Sequence, residues 1–193
     1  LGGLTDTAKS VNGVLANLGV AVSVAGLTAV VKSAIDTGDA LDEMSQRVGV
    51  SVETLSVWKP AAEQSGVSGE SFEKGLRKLS TTMLEAATGS EDAARGFSAV
   101  GVEFNNQDGT LRATDQVLLD LAERFKAMPD GAEKTALAVQ LFGKSGAELI
   151  PFLNQGRDGI NELAAEMQAL GVQMSSETAA QAGNFNDALD KLK

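Results

Sequence analysis

The chain has 193 residues, with 26 acidic against 16 basic side chains, a formal net charge of −10 and a sequence pI of about 4.5. That is enough chain for one or two domains whose cores need no covalent staples. It contains no Cys, His or Tyr, which removes the soft and imidazole ligands of transition metals and the Ser-His-Asp and Cys-His nucleophile systems, and its acidity disfavours a surface that neutralises nucleic-acid phosphates. The start at Leu1 and the stop at Lys193 within a helical pattern read as an excerpt from a longer polypeptide. Residues 1–31 lack the basic start, short apolar core and cleavage site of a signal peptide, and the absence of Cys suits a cytosolic or a virion protein.

The first predicted element is a long apolar to amphipathic helix over residues 1–48. Between Lys9 and Lys32 lie 22 residues without charge. At about 1.5 Å per residue such a run is long enough for a hydrocarbon core of about 30 Å. Asn12, Asn17, Ser23 and Thr28 interrupt it, Gly13, Gly19 and Gly26 thin it, and it carries no Trp or Tyr for an interfacial belt. The pattern therefore reads first as a helix packed in an assembly, with membrane insertion as the alternative. Leu15, Val22 and Ala29 recur every seven residues, as do Gly19 and Gly26, so one small-residue stripe can meet its equivalent on parallel copies.

Residues 49–171 read as a compact region of short helices. Gly49-Val50-Ser51, Gly66-Val67-Ser68 and Gly171-Val172 with Ser175 share one logic. Gly ends a helix in the left-handed conformation, Val packs back on the last turn, and Ser caps the next helix, with Glu53, Glu70 and Glu177 near its positive end. Trp58 is expected in a core or interface, with Pro60 kinking or ending its helix. Ser90 opens a short helix that Gly101 closes. Val102–Phe104 and Thr110–Arg112 alternate across a turn containing Asp108-Gly109, which predicts a small β-hairpin near 102–112.

The hairpin should lie on a helix starting after Thr114, whose buried face carries Leu118, Leu121, Ala122, Phe125 and Met128. After Pro129-Asp130-Gly131 a helix runs from about Ala132 to Phe142. Ser145 with Glu148 forms a capping-box pattern for the next short helix, although Pro151 soon interrupts its backbone bonding. A further helix carries Ile160, Leu163, Met167 and Leu170. Phe125, Leu141, Phe142, Leu149, Ile150, Phe152 and Leu153 form the densest apolar set and are expected to pack with Leu118 and Leu121. Residues 172–193 begin a further helix. The fold class is mainly α: a long small-residue helix, then short helices with one small hairpin.

Apparent chemical motifs fail on their spacing. Phe142-Gly143-Lys144-Ser145 resembles the end of a phosphate loop, but the first required Gly falls at Ala138 and no strand precedes it. Asn105–Gly109 resembles part of a calcium loop, but with Gly109 as its sixth residue, position one is Phe104. Asp36, Asp39, Asp42 and Glu43 share a helical side, yet a glycosidase pair needs a cleft that separates two pKa values, commonly with aromatic platforms, and this chain has one Trp. A solvated helix face is the simpler reading. Catalytic, cofactor-binding and metal positions are therefore each assigned as none.

Three runs carry a family resemblance: LDEMSQRVGVSVETL from Leu41, AAEQSGVSGESFEKGLRKLS from Ala61, and AMPDGAEKTALAVQLFGKSGAELIPFLN from Ala127. Together they resemble the phage tail tape measure protein family, best over residues 36–154 and most specifically in FGKSGAELIP. The resemblance implies a structural protein without catalytic residues in this stretch. Such a protein occupies the tail lumen of the virion, sets tail tube length during assembly in the host cytoplasm, and leaves ahead of DNA at infection. Implied partners are tail tube and tail tip proteins and further copies of itself, three by resemblance, through Leu15, Gly19, Val22, Gly26 and Ala29. The host inner membrane is a possible contact on ejection, and no specific nucleic-acid binding is expected. Two alternatives of other classes are a membrane-inserting segment of a genome-entry channel and a peptidoglycan hydrolase, the latter disfavoured by the missing His and sparse aromatics.

Overall fold

A computed structural model describes residues 24–181, with side-chain surroundings from Asp36 onward. The protein is mainly helical. In chain order the helices are α1 (Val24–Val48), α2 (Val52–Gln64), α3 (Gly69–Ala87), α4 (Glu91–Val100), α5 (Thr114–Ala127), α6 (Ala132–Phe142), α7 (Gly146–Leu153) and α8 (Gly156–Ala169), with a 3₁₀ turn at Gly143–Ser145. A helical segment also runs over 176–181. The described residues divide into a continuous compact unit, Glu43–Ser176, and a second unit of flanking segments, described over 24–42 and 177–181. Of the long helix expected over 1–48, residues 1–23 lie outside the described residues, and the helix described in this region is α1, Val24–Val48. Residues 182–193 of the expected final segment also lie outside them.

The stops between helices follow from backbone hydrogen-bond needs. At Gly66, φ is +87°, Gly66 N–H donates to Glu63 O at 3.0 Å, and Val67 N–H donates to Ala62 O at 3.0 Å. These bonds occupy carbonyls that the end of α2 would otherwise leave open, while Val67 is buried. Gly101-Val102 closes α4 in the same way, with Val102 N–H donating to Phe97 O at 3.1 Å. Ser51, Ser68 and Ser90 then accept from the third residue beyond, at 3.2, 3.1 and 3.4 Å. The third Gly-Val stop differs from expectation: Val172 N–H does reach Met167 O at 3.1 Å, but Val172 is 42% exposed and Leu170 69% exposed. The polar bond closes the helix there without the apolar contact.

The Glu43–Ser176 unit is packed around its shortest α-helix. α7 touches α2, α3, α5, α6 and α8. Its Leu149, Phe152 and Leu153, at i, i+3 and i+4, are buried on one face. Ile150 is only half-buried, which corrects its place in the expected core: one residue round the helix from Leu149, it leaves that face. Phe125, Leu141, Phe142, Leu118 and Leu121 are buried as the pattern anticipates. Phe72 of α3 meets Phe152 edge-on with centroids 5.4 Å apart, and Phe125 meets Phe142 at 6.3 Å, both favourable geometries for the ring quadrupole.

Close approach depends on two glycines. A Cβ on Gly146 would lie 2.0 Å from Ala138 O, so α7 folds against the backbone of α6 only because that atom is missing. A Cβ on Gly75 would lie 2.2 Å from Leu149 Cδ1.

Two local expectations need correction. The hairpin near 102–112 is not a pair of strands. It is a single antiparallel bridge, Asn105 with Leu111, around a turn in which Gly109 takes φ +84°. Asn106 N–H donates to Thr110 O and Arg112 N–H to Phe104 O, but the pairing ends there because the chain must turn into α4 and α5 on either side. Ser145 makes no side-chain cap; it sits in αR conformation inside the 3₁₀ turn, and Glu148 instead accepts from Ser71 Oγ of α3. Of the two outcomes expected at Pro60, a kink or an end, the end does not occur, since the helix continues to Gln64; Trp58 is buried, in line with a core position. Pro151 sits within α7 and, as expected, interrupts its backbone bonding by removing the bond that would have ended at Ala147 O.

Replacing Phe142 with Ala should cost about 3–5 kcal/mol in chemical denaturation. Gly146→Ala should cost about 1–3 kcal/mol or more through backbone overlap, against changes within about 0.5 kcal/mol for the exposed Thr81→Ala. A loss below about 1 kcal/mol for both core variants would contradict this packing.

Candidate functional site

Of the expected interaction positions, Leu15, Gly19 and Val22 lie outside the described residues. Gly26 and Ala29 lie in α1 before Asp36, where only the backbone is described. Most of the uncharged 10–31 run is likewise outside, and no helix among the described residues is long and apolar enough to cross a membrane. On the acidic side of α1, Glu43 accepts from Arg47 at 2.7 Å, an exposed i, i+4 pair worth a few tenths of a kcal/mol at most, roughly. No group of three or more acidic side chains among the described residues is placed to hold a metal ion.

The two motif-like runs have structural roles. Gly143, at φ +68°, ends α6 and starts the 3₁₀ turn into α7, so the GKS run joins helix to helix. In the 105–109 turn, Asp108 Oδ1 accepts from Thr110 N–H at 3.0 Å and from Thr110 Oγ at 2.6 Å. The Thr110 hydroxyl and then its N–H hold the Asp108 carboxyl below the usual range, and both donors are local.

A cleft of about 330 Å³ opens between the 101–112 segment, α5 and α8. Three of the chain's six arginines line it: Arg112, Arg124 and Arg157. Asp120 joins two of them, accepting from Arg112 at 2.7 Å through one oxygen and from Arg157 through the other. Arg112 also donates to Glu103 O at 2.7 Å, and Glu123 accepts from the Arg157 backbone N–H at 3.3 Å. Both Asp120 oxygens are thus engaged. The arrangement ties a loop without regular structure to two helices, in place of the ladder that the expected hairpin would have supplied.

The second polar cluster joins residues far apart in sequence. Glu53 Oε1 accepts from Ser176 N–H at 2.7 Å, and both Glu53 oxygens receive Ser176 Oγ at 2.9 Å. Beside it, Ser56 Oγ donates to Glu53 O at 2.9 Å and accepts from Met174 N–H at 3.0 Å. Sequence reading placed Glu53 only as a partner for the start of its own helix. Nothing in the local pattern shows that it also serves a backbone group in the 172–176 segment, because that pairing depends on α8 returning along α2.

The Ser176 N–H, followed by the Glu53 N–H and the Ser176 hydroxyl, holds the Glu53 carboxyl below the usual glutamate range. A depressed folded-state pKa supplies stability above the unfolded value, about 4.3 for Glu, and loses it as pH falls through the lower folded value. Thermal unfolding of the protein and of Glu53→Gln should therefore differ by a constant amount above about pH 5 and converge at lower pH. A gap that persists unchanged down to about pH 2 would show that this carboxylate does not contribute through its charge. Comparison with protein-family models, with curated proteins and with solved structures finds no match for this chain.

Proposed function

We propose that the chain is a structural, interaction-bearing segment of a phage tail tape measure protein, located in the tail lumen, acting in tail assembly and released ahead of DNA. The reading rests on the resemblance of the three quoted runs. The observation that supports it best is the role of the most specific of them, FGKSGAELIP: Phe142, Gly146 and Leu149 are packing positions at the centre of the Glu43–Ser176 unit. Its Gly and apolar residues thus answer to packing rather than to substrate chemistry, as suits a structural protein. On this reading the 10–31 run, with Leu15, Gly19, Val22, Gly26 and Ala29, mediates parallel association of three copies. The tail tube and tip supply the remaining partners.

Mass spectrometry of purified tails from a phage carrying this chain should detect its peptides at a few copies per tail. A stop codon introduced before Gly49 should leave particles without tails of defined length by electron microscopy. Absence of the peptides from purified tails, together with normal tails from the stop variant, would refute the reading.

A further inference from the structure

Glu53 stands in the first turn of α2, and Ser176 is the last residue of the same continuous unit. Between them the chain passes through seven helices and returns, since α8 packs along both α2 and α5. The returning end is tied down by the polar bonds of one small cluster: Ser176 N–H and Oγ on the Glu53 carboxylate, and Met174 N–H on Ser56 Oγ. The placement has a physical logic. The start of a helix leaves N–H groups open and carries positive partial charge, which favours a carboxylate there, and a Glu side chain is long enough to accept from a second segment as well.

We infer that the chain from Glu53 to Ser176 is a self-closed insert, coming in and going out at one point locked by Glu53, so that it adds almost no reach to the polypeptide that carries it. Run out as one α-helix, Glu53 to Ser176 would span about 185 Å. Clasped, its ends are joined by a hydrogen bond of 2.7 Å. The other unit is correspondingly made from segments on both sides of this one. For a length-measuring protein, a consequence that rests on the tape measure reading, these residues are silent in the measurement.

The test begins with the full chain in solution. The native sequence has no Cys, so Glu53→Cys with Ser176→Cys creates a unique thiol pair. A short bis-maleimide should join the two within one molecule in the folded protein and not in urea. Two thiols that each react singly but never with the same linker in the folded chain would overturn the closed insert.

In tails, a variant with residues 54–175 replaced by a short Gly-Ser link should assemble at the parental length, whereas shortening by about 180 Å would overturn the inference. Should that variant fail to assemble, the Cys pair is probed in intact tails of otherwise full-length protein. Crosslinking there supports the insert, and two reactive but unlinked thiols overturn it. Crosslinking in solution combined with absence of the chain from tails would instead refute the tape measure reading alone.

Discussion

The position of α7 governs the Glu43–Ser176 unit, and two missing Cβ atoms permit that position. An eight-residue helix has too few turns to stand alone, so its stability comes from burial of Leu149, Phe152 and Leu153. Burial on that scale requires the backbone itself to come close. Gly146 allows α7 to fold back over Ala138 O, and Gly75 makes room on α3 for Leu149. The Phe72–Phe152 contact then joins α3 to this short segment, while Phe125–Phe142 joins α5 directly to α6. A larger residue at Gly146 displaces the helix that the others share, which is why a single methyl there matters more than most surface changes.

Around that centre, the stops and ties keep short helices from fraying. The Gly-Val turns occupy terminal carbonyls and the Ser residues occupy opening N–H groups, so each break is satisfied locally. Where regular structure is absent, side chains substitute for it: Asp120 and two arginines hold the 101–112 segment, and Glu53 holds the 172–176 segment. Several other ion pairs are exposed i, i+4 contacts, such as Lys74 with Glu70, which contribute little to stability. With a net charge of −10, the apolar core must offset self-repulsion as well as chain entropy.

This organisation bears on the proposed tape measure reading. Features that look chemical in a linear reading become connectors in three dimensions. The GKS run is the turn that connects α6 to α7, and the Asp108 carboxylate closes its own turn. Under the proposed reading, residues that pack, cap and tie would serve assembly, and a unit whose ends meet would fill space without extending a filament.

Much of this was legible from sequence alone because its causes are local. Helix starts at Ser51, Ser68 and Ser90, stops at Gly66 and Gly101, and the buried face of Leu118, Leu121, Ala122 and Phe125 all follow from hydrogen-bond demand and from periodicity within one element. The tertiary structure decided the rest. It withheld a ladder from 102–112, carried two helices through Pro60 and Pro151, turned Ile150 off the core and left Leu170 in solvent. It also brought Glu53 to Ser176 and Gly146 to Ala138. These outcomes depend on which surfaces meet, and a contact between residues distant in sequence has its energy set by the packing of every helix between them.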